Sequence, residues 1–448
     1  MAENLRQHLR KKSDDHAQLR LLEAQWKFDE ELIPKALQNI ADIFPHFSRH
    51  DSSHSRQILI NIERLLGDTL TSLTATDTWL LLEAAYWHDI GMVVTADDII
   101  ADMKSGEFQQ YVNVIASETG HELQEFAKKF SSLDPRSCFS AAETPHEAVN
   151  LFRQILAGWY RPRHSGRAAA VVDDPWQKAG ITSPRNELVP KRLFRIIGQI
   201  CLLHGSSFQS VLDILPRCET GMATEDCHPR FVACLLRLGD LFDMDDNRFC
   251  PVMLRIAGEL PPSSRAHMQK HAALRHFRLD PERVEITAEC TGYESYEATD
   301  QWFRWIEDEF RCQMTRWNDI VPNRLFGLLP TLGRLEVNLV SYEILNPGQR
   351  PRFEVDPQQT IELLQGAGIY RNRWQSLREL LQNAVDATLM RIWLTHAENP
   401  DAGDTEVEWE NPLSTGVRKI FARYPVEVTL AKSEEEKSDH VNWQLDIR

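Results

Sequence analysis

A histidine followed directly by an aspartate, His88-Asp89, lies near the end of the apolar run LLLEAAYWHDIG at residues 80–91. Similar residues recur at comparable places. His54 opens HSRQIL after the string FPHFSRHDSSHS, which also holds His46 and His50; His204 ends RIIGQICLLHG; Asp240 interrupts LLRLGDLFDMDDNR. Each sits in a segment apolar enough to be buried. A buried ionised carboxylate must be paired or coordinate a metal. Neutral imidazoles and carboxylates converging from separate elements form a shell suited to a divalent transition ion. Taken singly, each histidine is more often a satisfied structural residue; the ordered set is what points to a metal pocket.

The segments around these residues read as helices. Apolar residues three and four apart predict helical structure in residues 1–43, 56–72, 77–93, 107–130, 145–159, 190–204, 207–215 and 228–243, with Asp77 placed to cap or charge one start and Gly91 near the same helix's end. No stretch of this first half alternates with period two. After about residue 250 the character changes. Prolines break CPVMLRIAGELPPSSRAHMQKH, RVEITAEC (283–290) alternates as a strand should, a helix is expected at 297–318, and RLEVNLVSYEIL (334–345) reads as one or two strands. The last hundred residues read as a short strand, a helix and a longer helix, then strands at 425–431 and 442–448.

A chain of 448 residues is too long for one ordinary core. Domains are therefore expected at 1–250 (all-α), 251–345 (an α+β connector) and 346–448. The net charge of −16 argues against a protein that coats nucleic acid. Eight cysteines without a C-x-x-C pair read as free thiols in a reducing compartment; Cys218, Cys227 and His228 are the nearest approach to a zinc cue. The polar N-terminus and the lack of a long apolar run predict a cytoplasmic protein with no membrane association.

The order His…His-Asp…His…Asp over residues 40–250 resembles the HD superfamily of metal-dependent phosphohydrolases. The resemblance implies a mainly α-helical bundle. It makes His54 the first ligand, with His50 its rival, followed by His88, Asp89 and Asp240. Many family members hold two ions and add two histidines. His204 fits one of these positions and His164, in GWYRPRHSGRAA, the other, with Asp89 bridging and orienting the attacking water. Two ions among Mn, Mg, Ni, Co and Fe are the implied cofactors. Arg161, Arg167, Arg237 and Arg248 are candidates to balance phosphate charge.

In SLRELLQNAVDATLMRI (376–392), Glu379, Asn383 and Asp386 lie at i, i+4 and i+7 and share one helix face. A solvated polar face is the ordinary reading. The string RELLQNAVDA, after IELLQGAGIYRNRWQSL, also resembles the first motif of GHKL ATPases, closest to the heat-shock-chaperone branch. That resemblance implies a general base at Glu379, a magnesium ligand at Asn383, and ATP with Mg as cofactor. The adenine-binding D-x-G-x-G motif and glycine-rich lid of that family do not occur before Arg448, so an incomplete GHKL-type α/β sandwich is expected, as part of a longer protein. Gly366 and Gly368 form only a weak G-x-G. An HD domain followed by a chaperone-like ATPase resembles the bacterial fusion architecture called HD-CE, which implies stress or antiviral signalling. Proteins of the chaperone branch often dimerise, so a homodimer is an expectation.

The functions expected from these features are a phosphohydrolase acting on a nucleotide or nucleic-acid phosphoester, gated by the ATPase, or a pocket that senses a nucleotide without hydrolysing it. A nucleic-acid-binding scaffold fits the acidic charge poorly.

Overall fold

The computed structural model describes residues 3–130, 142–185, 187–244, 248–249, 255, 258, 260–340, 373–397, 407, 409, 411, 413–432 and 443–447. The chain divides into two compact units, Met1–Leu345 and Asn346–Arg448.

The principal helices of the first unit are α1 (Asn4–Asp15), α2 (Arg20–Leu37), α3 (Ser52–Leu66), α4 (Ala75–Trp87), α5 (Pro145–Tyr160), α6 (His164–Asp173), α7 (Lys191–Leu203) and α8 (Pro229–Leu241). Every residue of α4 is buried, which explains why its sequence is apolar all round rather than on one stripe. Around it α1, α2, α3, α7 and α8 pack into one core that includes Trp79, Trp87, Ile58, Ile197 and Phe231. Thr74 caps α4 by accepting from the Asp77 amide at 2.9 Å. Asp77 itself does not cap; its carboxylate accepts from the His228 amide and faces His228 Nδ1 at 2.7 Å, tying the starts of α4 and α8.

The helix expected at 107–130 is two, Gly106–Ser117 and Gln124–Phe130, interrupted where Gly120 takes a φ of +87°. A short antiparallel hairpin, β1 (Glu219–Thr220) with β2 (Asp226–Cys227), interrupts the otherwise helical half. Its two-residue strands are too short for any periodic signal.

The region read as a connector holds α9 (Pro262–Ala272), β3 (Leu274–Leu279), β4 (Arg283–Cys290), α10 (Tyr293–Thr315) and β5 (Thr331–Leu339). Pro262 stands in the first turn of α9, where a missing amide hydrogen costs nothing, so the proline marks a start rather than a break. The sheet order is β3-β4-β5: β3 pairs antiparallel with β4 (Val284 opposite Leu279), and β5 parallel with β4 (Val284 opposite Leu332). Val284, Ile286, Ala288 and Cys290 face inward against Phe303, Ile306 and Phe310 of α10. That second core also takes in Leu65 of α3 and Leu238 and Phe242 at α8, so the sheet region is packed onto the bundle within one unit. Trp302 Nε1 donates to the Leu241 carbonyl at 3.1 Å and Gln313 Nε2 to that of Cys234 at 3.1 Å.

In the second unit the described elements are α11 (Arg373–Ile392), α12 (Thr415–Phe421), β6 (Val428–Lys432) and β7 (Trp443–Ile447). The two strands are antiparallel, with Val428 opposite Ile447. The expected strand and first helix before α11, with Gly366 and Gly368, lie outside the described residues. Among the described residues, no helix is long and apolar enough to cross a membrane.

Candidate metal centre

The helix termini bring the chemistry together. Asp51 caps α3 by accepting from the Ser53 amide at 2.8 Å, which sets His54 in the first turn. His88 is the residue after α4, Asp89 precedes a single 3-10 turn (Ile90–Met92), His164 opens α6, His204 follows α7, and Asp240 lies in the last turn of α8.

Two glycines permit the close approaches. A Cβ on Gly91 would sit 2.0 Å from the His164 carbonyl oxygen, and one on Gly239 would sit 2.9 Å from an Ile58 side-chain carbon and 3.0 Å from the Ile58 carbonyl oxygen. The first contact seats α6 against the turn after Asp89, and the second seats α8 against α3 beside His54.

The ligand atoms form two groups, His54–His88–Asp240 and Asp89–His164–His204, each with donor atoms within 4.8 Å of one another. Among the described residues no other group of three or more has this geometry. In the first, His54 Nε2 lies 3.2 Å from His88 Nε2 and 3.3 Å from Asp240 Oδ1. In the second, His164 Nε2 lies 2.9 Å from His204 Nε2. Asp89 spans both: Oδ2 is 3.0 Å from His88 Nε2 and 3.4 Å from His54 Nε2, while Oδ1 is 3.5 Å from His164 Nε2 and 3.9 Å from His204 Nε2. The sequence-derived ligands His54, His88, Asp89, His164, His204 and Asp240 are thus all brought together. His50 stands outside both groups, its Nδ1 against the Ser48 carbonyl at 2.6 Å, and burial pushes its pKa down to about 3.

The imidazole tautomers give a test of fit for a cation. Nδ1 of His88, His164 and His204 faces the carbonyl three residues upstream, of Ala85, Arg161 and Cys201, at 3.0, 2.5 and 2.5 Å. A carbonyl can only accept, so each Nδ1 carries the proton and each Nε2 presents a lone pair. His164 and His204 therefore point two lone pairs at one another at 2.9 Å. That is repulsive unless a cation lies between or beside them, and the residues present fit a divalent ion.

Electrostatics follow the same pattern. Burial would raise the Asp89 and Asp240 carboxyls, but the surrounding imidazoles, His88 and His54 for Asp89 and His54 and His88 for Asp240, hold both well below the usual carboxylate range. Burial and Arg248 lower His54, yet hydrogen bonds to Asp240, Asp243 and Asp89 outweigh them and leave it well above an ordinary histidine. His204 is pushed down to about 4 by burial, with His88 and His164 adding to it.

Asp243 was not read from the sequence. Its Oδ2 accepts from His54 Nδ1 and lies 3.3 Å from Arg248 Nε, and so it fixes the ring that presents Nε2 to the first group. The signal available was its place three residues after Asp240 in DLFDMDD.

The four arginines divide. Arg167 donates to the Gly91 carbonyl at 2.9 Å and pairs with Asp98 at 3.0 Å, pinning the turn after Asp89. Arg237 pairs with Glu309 of α10 through Nε at 2.8 Å and Nη2 at 2.6 Å, and donates to the carbonyls of Leu203, His204 and Ser206. These two guanidiniums, expected to meet a phosphate, are held by protein partners instead. Arg161 makes no ion pair among the described residues and lies 4.7 Å over the Phe47 ring. Among the described residues, the Arg248 side chain contacts Asp243 at 3.3 Å and donates to the Arg49 carbonyl at 3.3 Å. Glu379, Asn383 and Asp386 stand exposed on α11 in the other unit. The described cysteines are free; Cys227 is buried, and His228 turns to Asp77 rather than to a metal.

A helical bundle that gathers His, His-Asp, His and Asp from separate helices in this order is an HD-type domain. The family model HD-CE matches residues 44–312, more than half of the chain, and the protein belongs to the HD-CE family. No curated protein and no solved structure matches the chain.

Proposed function

We propose that the protein is a metal-dependent phosphohydrolase acting on a phosphoester of a nucleotide or nucleic acid. The observation that carries this reading is Asp89, whose two oxygens face two separate sets of imidazole nitrogens. His54, His88 and Asp240 would hold one divalent ion, His164 and His204 the other, and Asp89 both. Bound there, such ions polarise a phosphoryl oxygen and lower the pKa of water.

The chain's own groups do the rest. The carbonyls of Ala85, Arg161 and Cys201 fix three ring orientations, and Asp243 fixes the fourth. Asp89 stays ionised and can accept a hydrogen bond from the attacking water. Arg161 and Arg248 supply positive charge toward the leaving phosphate. In the other unit, Glu379 as base and Asn383 as magnesium ligand would belong to a chaperone-like ATPase. The string RELLQNAVDA, which puts Glu379 and Asn383 one turn apart on α11, supports that reading.

The test is a nucleotide screen under Mn, Ni, Co and Mg with wild type and His88→Ala/Asp89→Ala. Turnover abolished in the folded double variant supports catalysis. Unchanged turnover overturns it.

A further inference from the structure

Between the end of α2 and the start of α3 lies a cavity of about 180 Å³. One stretch of chain lines it, from Leu37, the last residue of α2, through a short helical turn, Ile40–Ile43, to Asp51, the cap of α3. Leu37, Ile40 and Phe44 are buried and form an apolar floor, Ala41 is exposed at the mouth, and Arg49, His50 and Asp51 are half-buried on the polar side. Two of these polar groups satisfy each other: Arg49 Nη2 lies 2.5 Å from Asp51 Oδ2, while Asp51 Oδ1 accepts from the Ser53 amide. His50 is different. Its Nδ1 donates to the Ser48 carbonyl at 2.6 Å, so Nε2 carries the lone pair, and that nitrogen meets no hydrogen-bond partner among the described residues.

The same histidine joins the cavity to the metal centre. Its ring centroid lies 5.5 Å from that of His54. A second link runs through the backbone. The Arg49 amide donates to the Arg248 carbonyl at 2.8 Å, and Arg248 faces Asp243, the carboxylate that fixes His54. The cavity wall and the first ligand group are thus parts of one assembly.

Size and lining limit the occupant. An apolar cavity of about 150 Å³ takes one benzene-sized ring. Here an apolar floor is joined by one unused acceptor, which suits a flat heterocycle with an N–H on its edge. A nucleotide carries such a ring one sugar away from its phosphate. In a duplex that edge is already engaged by the complementary base, and both ring faces are stacked.

We propose that this cavity is the base subsite of the phosphoester substrate. The unpaired base of a nucleotide lies on Leu37, Ile40 and Phe44 and donates an edge N–H to His50 Nε2, with its phosphate toward the metal centre. This rests on the phosphohydrolase reading above and narrows it to substrates whose base is unpaired.

Ligand-observed NMR titration of the full chain with adenosine, guanosine, cytidine and uridine, and with ribose, tests this, because none of these carries a phosphoester to be turned over. At least one nucleoside is expected to bind about tenfold more tightly than ribose. Tenfold corresponds to about 1.4 kcal/mol, which roughly 55 Å² of buried apolar surface supplies. Ala41→Trp, at the exposed mouth, fills the space and should remove the preference with metal content as in wild type. Ala41→Ser leaves the space open and should keep it. His50→Phe retains a flat ring beside His54 and removes the acceptor, so it should weaken nucleoside binding about fivefold, and it decides the matter if Ala41→Trp does not fold. The subsite is overturned if wild type prefers no nucleoside to ribose, if the preference survives Ala41→Trp, or if His50→Phe binds as wild type does. Elemental analysis separates the two readings. A chain without bound metal that still prefers a nucleoside keeps the subsite and loses the hydrolase; a metal-loaded chain without that preference does the reverse.

Discussion

Replacing Asp89 by Asn removes the charge of the one side chain shared by both ligand groups. Its oxygens lie 3.0–3.9 Å from the four imidazole nitrogens, so an ion among them would be within coordination reach. Two unit charges 4 Å apart interact by about 4 kcal/mol at an effective dielectric of 20. If relief of the carboxylate's burial returns half of that, each ion still loses about 2 kcal/mol, or about 30-fold in affinity. Because the amide keeps the size of the acid, the helices need not move. Isothermal titration with Mn²⁺, together with elemental analysis, reads the outcome: both ions should weaken in parallel, while Asp280→Asn, half-buried on the sheet side, changes neither. An Asp89→Asn variant that kept two ions at wild-type affinity would refute the bridging geometry.

Other expectations separate the parts. His164→Ala should lower the metal content from two ions to one, read by elemental analysis, because His164 belongs only to the second group. Gly91→Ala should weaken the ion at that group more than at the first and cost about 1–3 kcal/mol in urea denaturation, since the new methyl meets the His164 backbone rather than a movable side chain. Arg237→Met should destabilise the fold by about 3–5 kcal/mol by leaving Glu309 buried without its partner. Burial, with Asp29 beside it, pushes the Glu83 carboxyl well above its ordinary value. The folded state then binds more protons than the unfolded one above the unfolded carboxyl's pKa near 4.5, so stability falls as pH rises from there toward the folded value. Glu83→Gln, which can still accept from Trp87 Nε1, should flatten that decline in pH-dependent thermal melts.

Five members of the ligand set, His54, His88, Asp89, His204 and Asp240, were legible because each lies in or beside an apolar helix. A histidine or carboxylate in such a place needs a partner, and the partners' order along the chain pointed to one pocket. His164 was harder to place, since RPRHSGR shows no periodicity. In the fold its charged residues are spent locally: Arg163 covers the Trp159 ring at 3.5 Å and Arg167 holds Asp98. Strand β4 was read from RVEITAEC because it alternates, whereas β3, LRHFRL, carries three basic residues on an open edge and gives no apolar face to count. Lys270 left no trace in the sequence at all. It is 5 % exposed, with its ammonium over the Trp302 ring of α10 more than thirty positions away, and no local pattern reports a contact of that range.

Arg237 stands at a junction of three helices. One planar cation grips the end of α7, where His204 sits, lies a single turn from Asp240 on its own helix, and clasps Glu309 on α10. Ligands of both ion groups are therefore geared to the helix that backs the three-stranded sheet. Loss of that clasp would loosen the backbone beside His204 and the partner of the helix that carries Asp240 together.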